Sequence, residues 1–221
     1  MQKFDTPAVI TATLSIPAGR IQLIAADRTD TTVEIRPADA GKSRDVKTAE
    51  QTTVSYDAGV LRIESPTPKS QLLGGQGSVE VTVQLPAGSR VVAKAGAAEL
   101  RGVGRLGDVT FDGGYREVKL DEAASTQLTV HDGDITIGRL TGPAGISTQR
   151  GTIRVTEAVR GAVGLKTQQG DIEIGAAQGV SASLDAGTSS GRVSNSLKND
   201  GTSDLVITAT TSLGNITARS L

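Results

Sequence analysis

Residues 166–179 read KTQQGDIEIGAAQG, and residues 147–161, just before them, read STQRGTIRVTEAVRG. Both stretches have a polar turn, a glycine and then a strand in which apolar and polar residues alternate. The glycine of this unit recurs along the chain at steps of 18 to 23 residues. The predicted turn glycines are Gly96, Gly114, Gly133, Gly151, Gly170, Gly191 and Gly214. A near-constant period of this length predicts a solenoid or a blade repeat.

Alternation after the turn glycine is strict in the best-kept units. Two aliphatic residues are separated by one polar residue, which is the pattern of a strand with one buried face. The aliphatic pairs are Ile135 and Ile137, Ile153 and Val155, and Ile172 and Ile174. We therefore predict an all-β chain in which each unit contributes strand, turn and strand.

Two architectures fit these facts. An antiparallel meander would make each unit a hairpin, whereas a single-chain β-solenoid would make each unit one coil of about 18–23 residues, stacked in parallel ladders. The solenoid is favoured because the same residue types recur at the same phase in every unit. The connections are also longer than the two-residue turns typical of hairpins.

The first 95 residues alternate in the same way but less regularly. We predict an irregular N-terminal β region and cap over residues 1–95, continuous with regular coils over 96–221, in one structural domain. Between Pro37 and Gln51 the alternation is lost, which predicts a loop or one short helix. The prolines and glycines of residues 65–77 predict a flexible loop.

Composition limits the functions that are plausible. The net charge is −1 and no basic stripe is visible, so we expect no nucleic-acid partner. No apolar run is long enough to span a membrane, so direct membrane insertion is not expected. The first residues lack the apolar region of a signal peptide, which predicts a cytoplasmic location, or an extracellular one if a leader has been removed.

Several segments together resemble the bacterial family of proposed adhesins with β-strand repeats, also known as toast-rack domains. These segments are AADRTDTTVEIRPAD (25–39), SVEVTVQLPAGSRVVAKAG (78–96), GDITIG (133–138), GDIEIG (170–175) and SGRVSNSLKNDGTSDLVITATTSLGNITARS (190–220). The resemblance covers nearly the whole chain. It implies a right-handed, solenoid-like β fold, attached in some relatives to envelope-stress proteins, and it supplies no catalytic residues.

Residues 102–107, GVGRLG, match the glycine fingerprint of dinucleotide-binding proteins. That motif works because a helix follows and directs its first amides at the pyrophosphate. In this chain the following residues, DVTFDGGYREV, read as strand and turn. We therefore interpret the motif as a solenoid corner and expect no cofactor.

His131, Asp132 and Asp134 form the one cluster that resembles a metal or acid–base site. Asp132 and Asp134 are weak candidates for metal ligands, since calcium-binding repeats need their Gly-Asp pattern in successive turns. Asp and Gly are also ordinary turn residues. The turn interpretation is favoured, so we predict no metal site and no catalytic residues.

Two other groups of residues invite a binding hypothesis. Outward charges could form a recognition ladder, although interspersed signs more often mark a solvated face. These charges are Arg150, Arg154, Glu157, Lys166, Asp171 and Glu173. Phe111 and Tyr115 lie near one corner, where we expect a local plug in the core rather than a sugar-stacking platform.

The favoured function is a non-catalytic structural or interaction module. Its partner would be an unidentified protein or a second copy of the chain, bound on the ladder face or at the coil ends, where strand edges could support self-assembly. The alternatives are an exported surface adhesin that binds glycans and, less favoured, a polysaccharide-active enzyme. The enzyme would need paired carboxylates, for which Asp132, Asp134 and Asp171 are available.

Overall fold

The computed structural model describes residues 1–66 and 77–221. Across these residues the chain forms strands throughout, with a single helix near the N-terminus. The elements are β1 (Gln2–Asp5), β2 (Thr11–Ala26), β3 (Asp30–Pro37), α1 (Ser43–Gln51), β4 (Thr53–Asp57), β5 (Val60–Glu64), β6 (Val79–Pro86), β7 (Arg90–Gly113), β8 (Val118–Asp132), β9 (Ile135–Leu140), β10 (Ala144–Arg150), β11 (Ile153–Ala158), β12 (Gly161–Gln169), β13 (Ile172–Ala176), β14 (Ala182–Ser190), β15 (Val193–Ser196), β16 (Leu205–Leu213) and β17 (Ile216–Ser220).

Parallel pairing between successive coils builds the molecule. Ile153, for example, lies in register between Ile135 of the coil before it and Ile172 of the coil after it. This confirms the predicted β-solenoid, because a meander would pair the same strands antiparallel. Each coil crosses two facing walls, which we call wall A and wall B.

Each wall is a ladder of strands that runs from the N-terminal cap to the other end of the solenoid. In that spatial order, wall A contains residues 11–16, 90–95, 108–113, 125–132, 144–150, 161–169, 205–213 and 182–190. Wall B contains residues 19–25, 98–104, 118–122, 135–140, 153–158, 172–176, 216–220 and 193–196. The long strands β2, β7 and β8 bend round a corner and contribute to both walls.

Aliphatic side chains fill the space between the walls. Ile135, Ile153, Ile172 and Ile216 form one continuous row and are fully buried. Burying each such side chain stabilises the fold by roughly 1.5–3 kcal/mol relative to leaving it in water. Because one buried row continues from coil to coil, no coil has an isolated core of its own.

The coils do not stack in chain order at the C-terminal end. Strand β16 pairs with β12 on one side and β14 on the other, and β17 lies in the same way between β13 and β15. The coil of residues 205–220 is therefore inserted beneath the coil of residues 182–196. Because of this insertion, β14 and β15 form the outermost layer although they precede β16 in the chain.

The N-terminal end is closed by antiparallel strands. Strands β5 and β6 pair in parallel with β2. Strand β4 then pairs antiparallel with β5, β3 pairs antiparallel with β6, and β1 pairs antiparallel with β3. Helix α1 packs against β3 and β6 and confirms that residues 37–51 include a short helix. Parallel ladders already include residues 11–26, and the division into 1–95 and 96–221 stays a prediction. Most of the predicted loop 65–77 lies outside the described residues.

Candidate functional site

The corner that contains His131, Asp132 and Asp134 is held by contacts to the next coil. Asp132 forms an ion pair with Arg150, its register partner, at 2.7 Å. The Asp134 carboxylate accepts a hydrogen bond of 2.7 Å from the backbone N–H of Thr152. Both carboxylates are thus used to join one coil to the next.

The position of Asp134 repeats along the corner with the same role. The Asp171 carboxylate accepts a hydrogen bond of 2.6 Å from the Asn215 N–H, and the Asn215 side-chain oxygen accepts one of 3.0 Å from the Arg192 N–H. Among residues 1–66 and 77–221, no group of three or more His, Cys, Asp or Glu side chains could hold a metal ion. Turn and coil-to-coil bonding therefore accounts for these polar residues.

Glycines form a column beside these side chains, in the spatial order Gly133, Gly151, Gly170, Gly214, Gly191. Gly170 has a φ of +145°, and a Cβ at this position would lie 2.1 Å from the Gly151 carbonyl oxygen. Only glycine allows both the backbone conformation and the close approach. The two remaining predicted turn glycines also lie at corners. Gly114 has a positive φ, whereas Gly96 instead approaches the Pro17 carbonyl closely.

The motif at residues 102–107 lies within strand β7, at the corner where the chain passes from wall B to wall A. Its residues continue the ladder: Gly102 is in register with Leu23, and Gly104 with Ala25. A Cβ at Gly104 would lie 2.1 Å from the Ala25 carbonyl oxygen. The glycines therefore serve close packing of coils, and no helix follows to bind a phosphate.

The outer face of wall B carries ion pairs that join neighbouring coils. Arg154 contacts Glu173 at 2.9 Å, and Arg139 contacts Glu157 at 2.8 Å. The hydrogen bond to Glu173 raises the pKa of Arg154, and the charges of Glu173 and Asp134 act in the same direction. Because the side chains of these pairs are exposed, the outer face of wall B is a solvated surface. Exposed ion pairs contribute little to stability. Of the other predicted outward charges, Lys166 lies exposed on wall A.

The corner aromatics differ from each other and partly from the prediction. Phe111 is buried, with 1% of its surface exposed, as expected of a core plug. Tyr115 is 60% exposed, so its prediction as part of the plug was wrong. Tyr115 lies in the turn between β7 and β8, where strand alternation no longer decides which side chains point inward.

The two ends of the solenoid are strongly unequal. At the N-terminal end the outermost strands on the two sides, β1 and β4, meet through the rings of Phe4 and Tyr56, whose centroids are 5.5 Å apart. The buried Asp45 carboxylate also accepts a hydrogen bond of 2.9 Å from the Ser78 N–H and ties α1 to the start of β6. Among the described strands, β1 and β4 have one neighbour each, but the ring contact joins these outermost strands, and we call this the closed end.

At the C-terminal end, β14 and β15 each pair with one neighbour only within the described residues. The Ala182 N–H points away from β16 and donates to the Lys198 carbonyl. By the alternation of a parallel ladder, the N–H groups of Leu184, Ala186 and Thr188 point to the same open side. This end therefore presents an unpaired strand edge on each wall, which we call the open end.

The open end also exposes apolar surface. Val193 is 41% exposed, and Leu184 and Ala186 are only partly buried although all three face inward. Strand β14 carries one charged residue, Asp185, whereas β15 lies between Arg192 and Lys198. The edges contain no proline and no lysine within the strands, the residues that commonly prevent edge pairing.

The profile of the Toastrack DUF4097 family matches residues 11–219. The chain belongs to the Toastrack family. This confirms the resemblance seen in the sequence, and the two-walled solenoid is the form that the family takes in this chain.

Several solved structures are similar to this Toastrack chain at low identity. A proposed adhesin from Bacteroides fragilis is 14% identical with a TM-score of 0.45, covering 98% of this chain and 95% of that one. A proposed adhesin from Parabacteroides distasonis is 12% identical with a TM-score of 0.44 and the same coverage. A proposed cell adhesion protein from Clostridium sporogenes is 12% identical with a TM-score of 0.38, covering 100% and 98%. These values transfer no function.

Among functionally curated proteins, none matches the Toastrack chain. In its described residues, no helix has both the length and the apolar character needed to cross a membrane.

Sequence reasoning missed the open end as a specific site. It predicted strand edges at the coil ends in general, but not that one end is closed and the other open. One signal was available: between residues 182 and 196 the inward positions include only two large aliphatic residues, Leu184 and Val193. A weak inner row of this kind is typical of a terminal layer.

Proposed function

We propose that this Toastrack chain is a non-catalytic interaction module that associates with a second copy of itself through the open end. The observation that carries the proposal is the contrast between the two ends. At the closed end a helix packs on the sheet and a ring contact joins the outermost strands, whereas at the other end no described element joins β14 to β15 in this way and the inward-facing Val193 is 41% exposed. Strand addition to the edges of β14 and β15 supplies main-chain hydrogen bonds.

The charges of the open end favour a particular arrangement. In a two-fold dimer, β14 of one copy can lie antiparallel to β15 of its partner, and the symmetry repeats the contact. This arrangement brings Asp185 toward the cations that flank β15, Arg192 and Lys198. Pairing β14 with its own copy would instead bring two Asp185 carboxylates together, and like charges across strands are destabilising.

The carboxylates that an enzyme would need are engaged in contacts between coils, which supports a non-catalytic function. Asp132 is ion-paired, while Asp134 and Asp171 accept backbone hydrogen bonds from the next coil. They follow a corner of the solenoid rather than facing one another across a cleft. A cytoplasmic location stays a prediction.

The test is the oligomeric state in solution. We expect light scattering after size exclusion, or sedimentation equilibrium, to give a dimer whose population rises with concentration. Ala186→Pro removes an N–H from the open side and should give a monomer. The matched control is Gly187→Ala on the same strand, where an added Cβ meets nothing within 4 Å, and it should still dimerise.

Asp185→Lys tests the arrangement itself, because it places a third cation beside Arg192 and Lys198 of the partner. We expect a weaker dimer that recovers at high salt, and circular dichroism should show that all variants are folded. A wild-type chain that is monomeric at every concentration, or equal dimerisation by Ala186→Pro and Gly187→Ala, would contradict the proposal.

A further inference from the structure

A shallow hollow lies on the outer side of wall A, near the opposite end of the solenoid from β14 and β15. Its polar lining comes from four successive coils: Ser15, Lys94, Asp112 and His131, together with Ser65 of the cap. Its volume of about 400 Å³ falls in the range typical of small-molecule sites, roughly 300–1,000 Å³. Its floor is made of small residues such as Ala95 and Gly113.

Two charged residues of this hollow, Lys94 and Asp112, lie on adjacent coils. Some arginines and carboxylates of adjacent coils form ion pairs, as Arg101 and Asp121 do at 2.7 Å. In the part of the chain that the structure describes, neither Lys94 nor Asp112 takes part in an ion pair within 4.0 Å. A cationic donor and an anionic acceptor therefore remain available side by side.

The exposed ring of Tyr115 lies beside the hollow, outside its lining. Tyr115 stacks on His131, with ring centroids 5.8 Å apart and planes inclined by 29°, and His131 in turn lines the hollow. Phe4 and Tyr56 pack on each other in the cap and Phe111 is buried, so Tyr115 is the aromatic side chain that faces solvent. Its exposure has no explanation in the packing of the core.

We infer that this hollow binds a saccharide. A pyranose ring has an apolar face of C–H groups, which can pack on an aromatic ring such as that of Tyr115, and hydroxyls at its edge that both donate and accept hydrogen bonds. The Asp112 carboxylate accepts from such hydroxyls, and the Lys94 ammonium donates to them. The site is separate from the open end and does not depend on self-association.

Maltotriose, cellotriose and triacetylchitotriose are suitable probes, titrated to about 10 mM because single-ring sites bind weakly. The chain has no tryptophan and two tyrosines. In a Tyr56→Phe background, the remaining tyrosine fluorescence reports on Tyr115 alone. We expect at least one trisaccharide to change this fluorescence, and isothermal titration calorimetry on the full chain to give its affinity.

Tyr115→Ala should weaken binding about tenfold, whereas Tyr115→Phe, which keeps the ring, should stay within about threefold of the parent. Asp112→Asn should also weaken binding. Gln168→Ala, an exposed polar residue on wall A two coils beyond the hollow, should leave affinity unchanged. The proposal is overturned if no trisaccharide alters the Tyr115 signal, or if Tyr115→Ala and Asp112→Asn bind as tightly as the parent while remaining folded.

Discussion

The hydroxyl of Thr167 donates a hydrogen bond of 3.1 Å to the carbonyl of Gly151, which lies one coil below. Thr211 makes the same bond to Gly170 at 3.0 Å, and Thr188 makes it to Gly214 at 3.0 Å. The glycine column and a column of threonines therefore hold each other in place. Glycine permits the close approach of the coils, and the threonine hydroxyl donates a hydrogen bond to the glycine carbonyl.

Thr167→Val should destabilise the fold. The substitution keeps the shape of a buried side chain but removes the donor, so we expect a loss of about 1 kcal/mol in the free energy of unfolding. Urea denaturation followed by circular dichroism measures this value.

For Thr126, the same substitution should not lower the free energy of unfolding. Its buried hydroxyl has no hydrogen-bond partner within the described residues. Thr126→Val should therefore leave stability unchanged or raise it by about 1 kcal/mol. If Thr126→Val and Thr167→Val lowered the free energy of unfolding equally, the threonine column would not stabilise the fold through its hydrogen bonds.

Gly170→Ala should be severely destabilising. At this position the new Cβ would meet the Gly151 carbonyl oxygen at 2.1 Å, in a backbone conformation that L-residues rarely adopt. We expect a loss of at least about 3 kcal/mol. The matched control is Gly187→Ala, where space is open and the change should stay within about 0.5 kcal/mol. Thermal melts of the two variants compare them directly.

Asp134→Ala should cost about 1 kcal/mol because the Thr152 N–H loses its acceptor, whereas Asp134→Asn keeps a side-chain oxygen there and should cost less. Added calcium should leave the melting temperature of the wild-type chain unchanged. A calcium-dependent rise that disappears in both variants would restore the metal interpretation of Asp132 and Asp134.

Acid should weaken the N-terminal cap through Asp30. Its pKa is held below the ordinary value, chiefly by a hydrogen bond from Arg28 and then by one from Lys3. A carboxylate with a lowered folded-state pKa contributes stability above its unfolded-state pKa of about 3.9, and this contribution is lost as the pH falls further.

The melting temperature of the wild-type chain should therefore fall more steeply than that of Asp30→Asn as the pH falls below about 4. Asp27→Asn is the control, since its carboxylate is almost fully exposed and lies 4.0 Å from Arg105. Identical pH profiles for wild type and Asp30→Asn would exclude a role for Asp30 in the acid response.

The solenoid could be predicted because its two determinants are local. The turn glycine fixes the corner, and the pair Ile153 and Val155 fixes which face of the next strand is buried. Neither determinant records which coil lies on which, because most coils offer the same inner pattern to their neighbours, and only the weak inner row of residues 182–196 is typical of a terminal layer. The insertion of residues 205–220 beneath residues 182–196 was therefore beyond the reach of periodicity.

The candidate sites show the same limit. Turn chemistry predicts a local role for Asp134, whereas its carboxylate accepts a hydrogen bond from the Thr152 N–H, a partner that depends on the stacking of coils. The sequence predicts Tyr115 in the core because it lies close to Phe111 in the chain. Alternation applies only within strands, and Tyr115 lies in the turn between β7 and β8.

The insertion of the last coil sets an order for biosynthesis. Residues 182–196 leave the ribosome before residues 205–220, yet they rest on them in the finished protein. They can therefore reach their final neighbours only after β16 and β17 have been translated, so the two coils are completed together. A nascent chain arrested after Ser196 would expose the aliphatic row of β12 and β13 to the quality-control machinery of the cell.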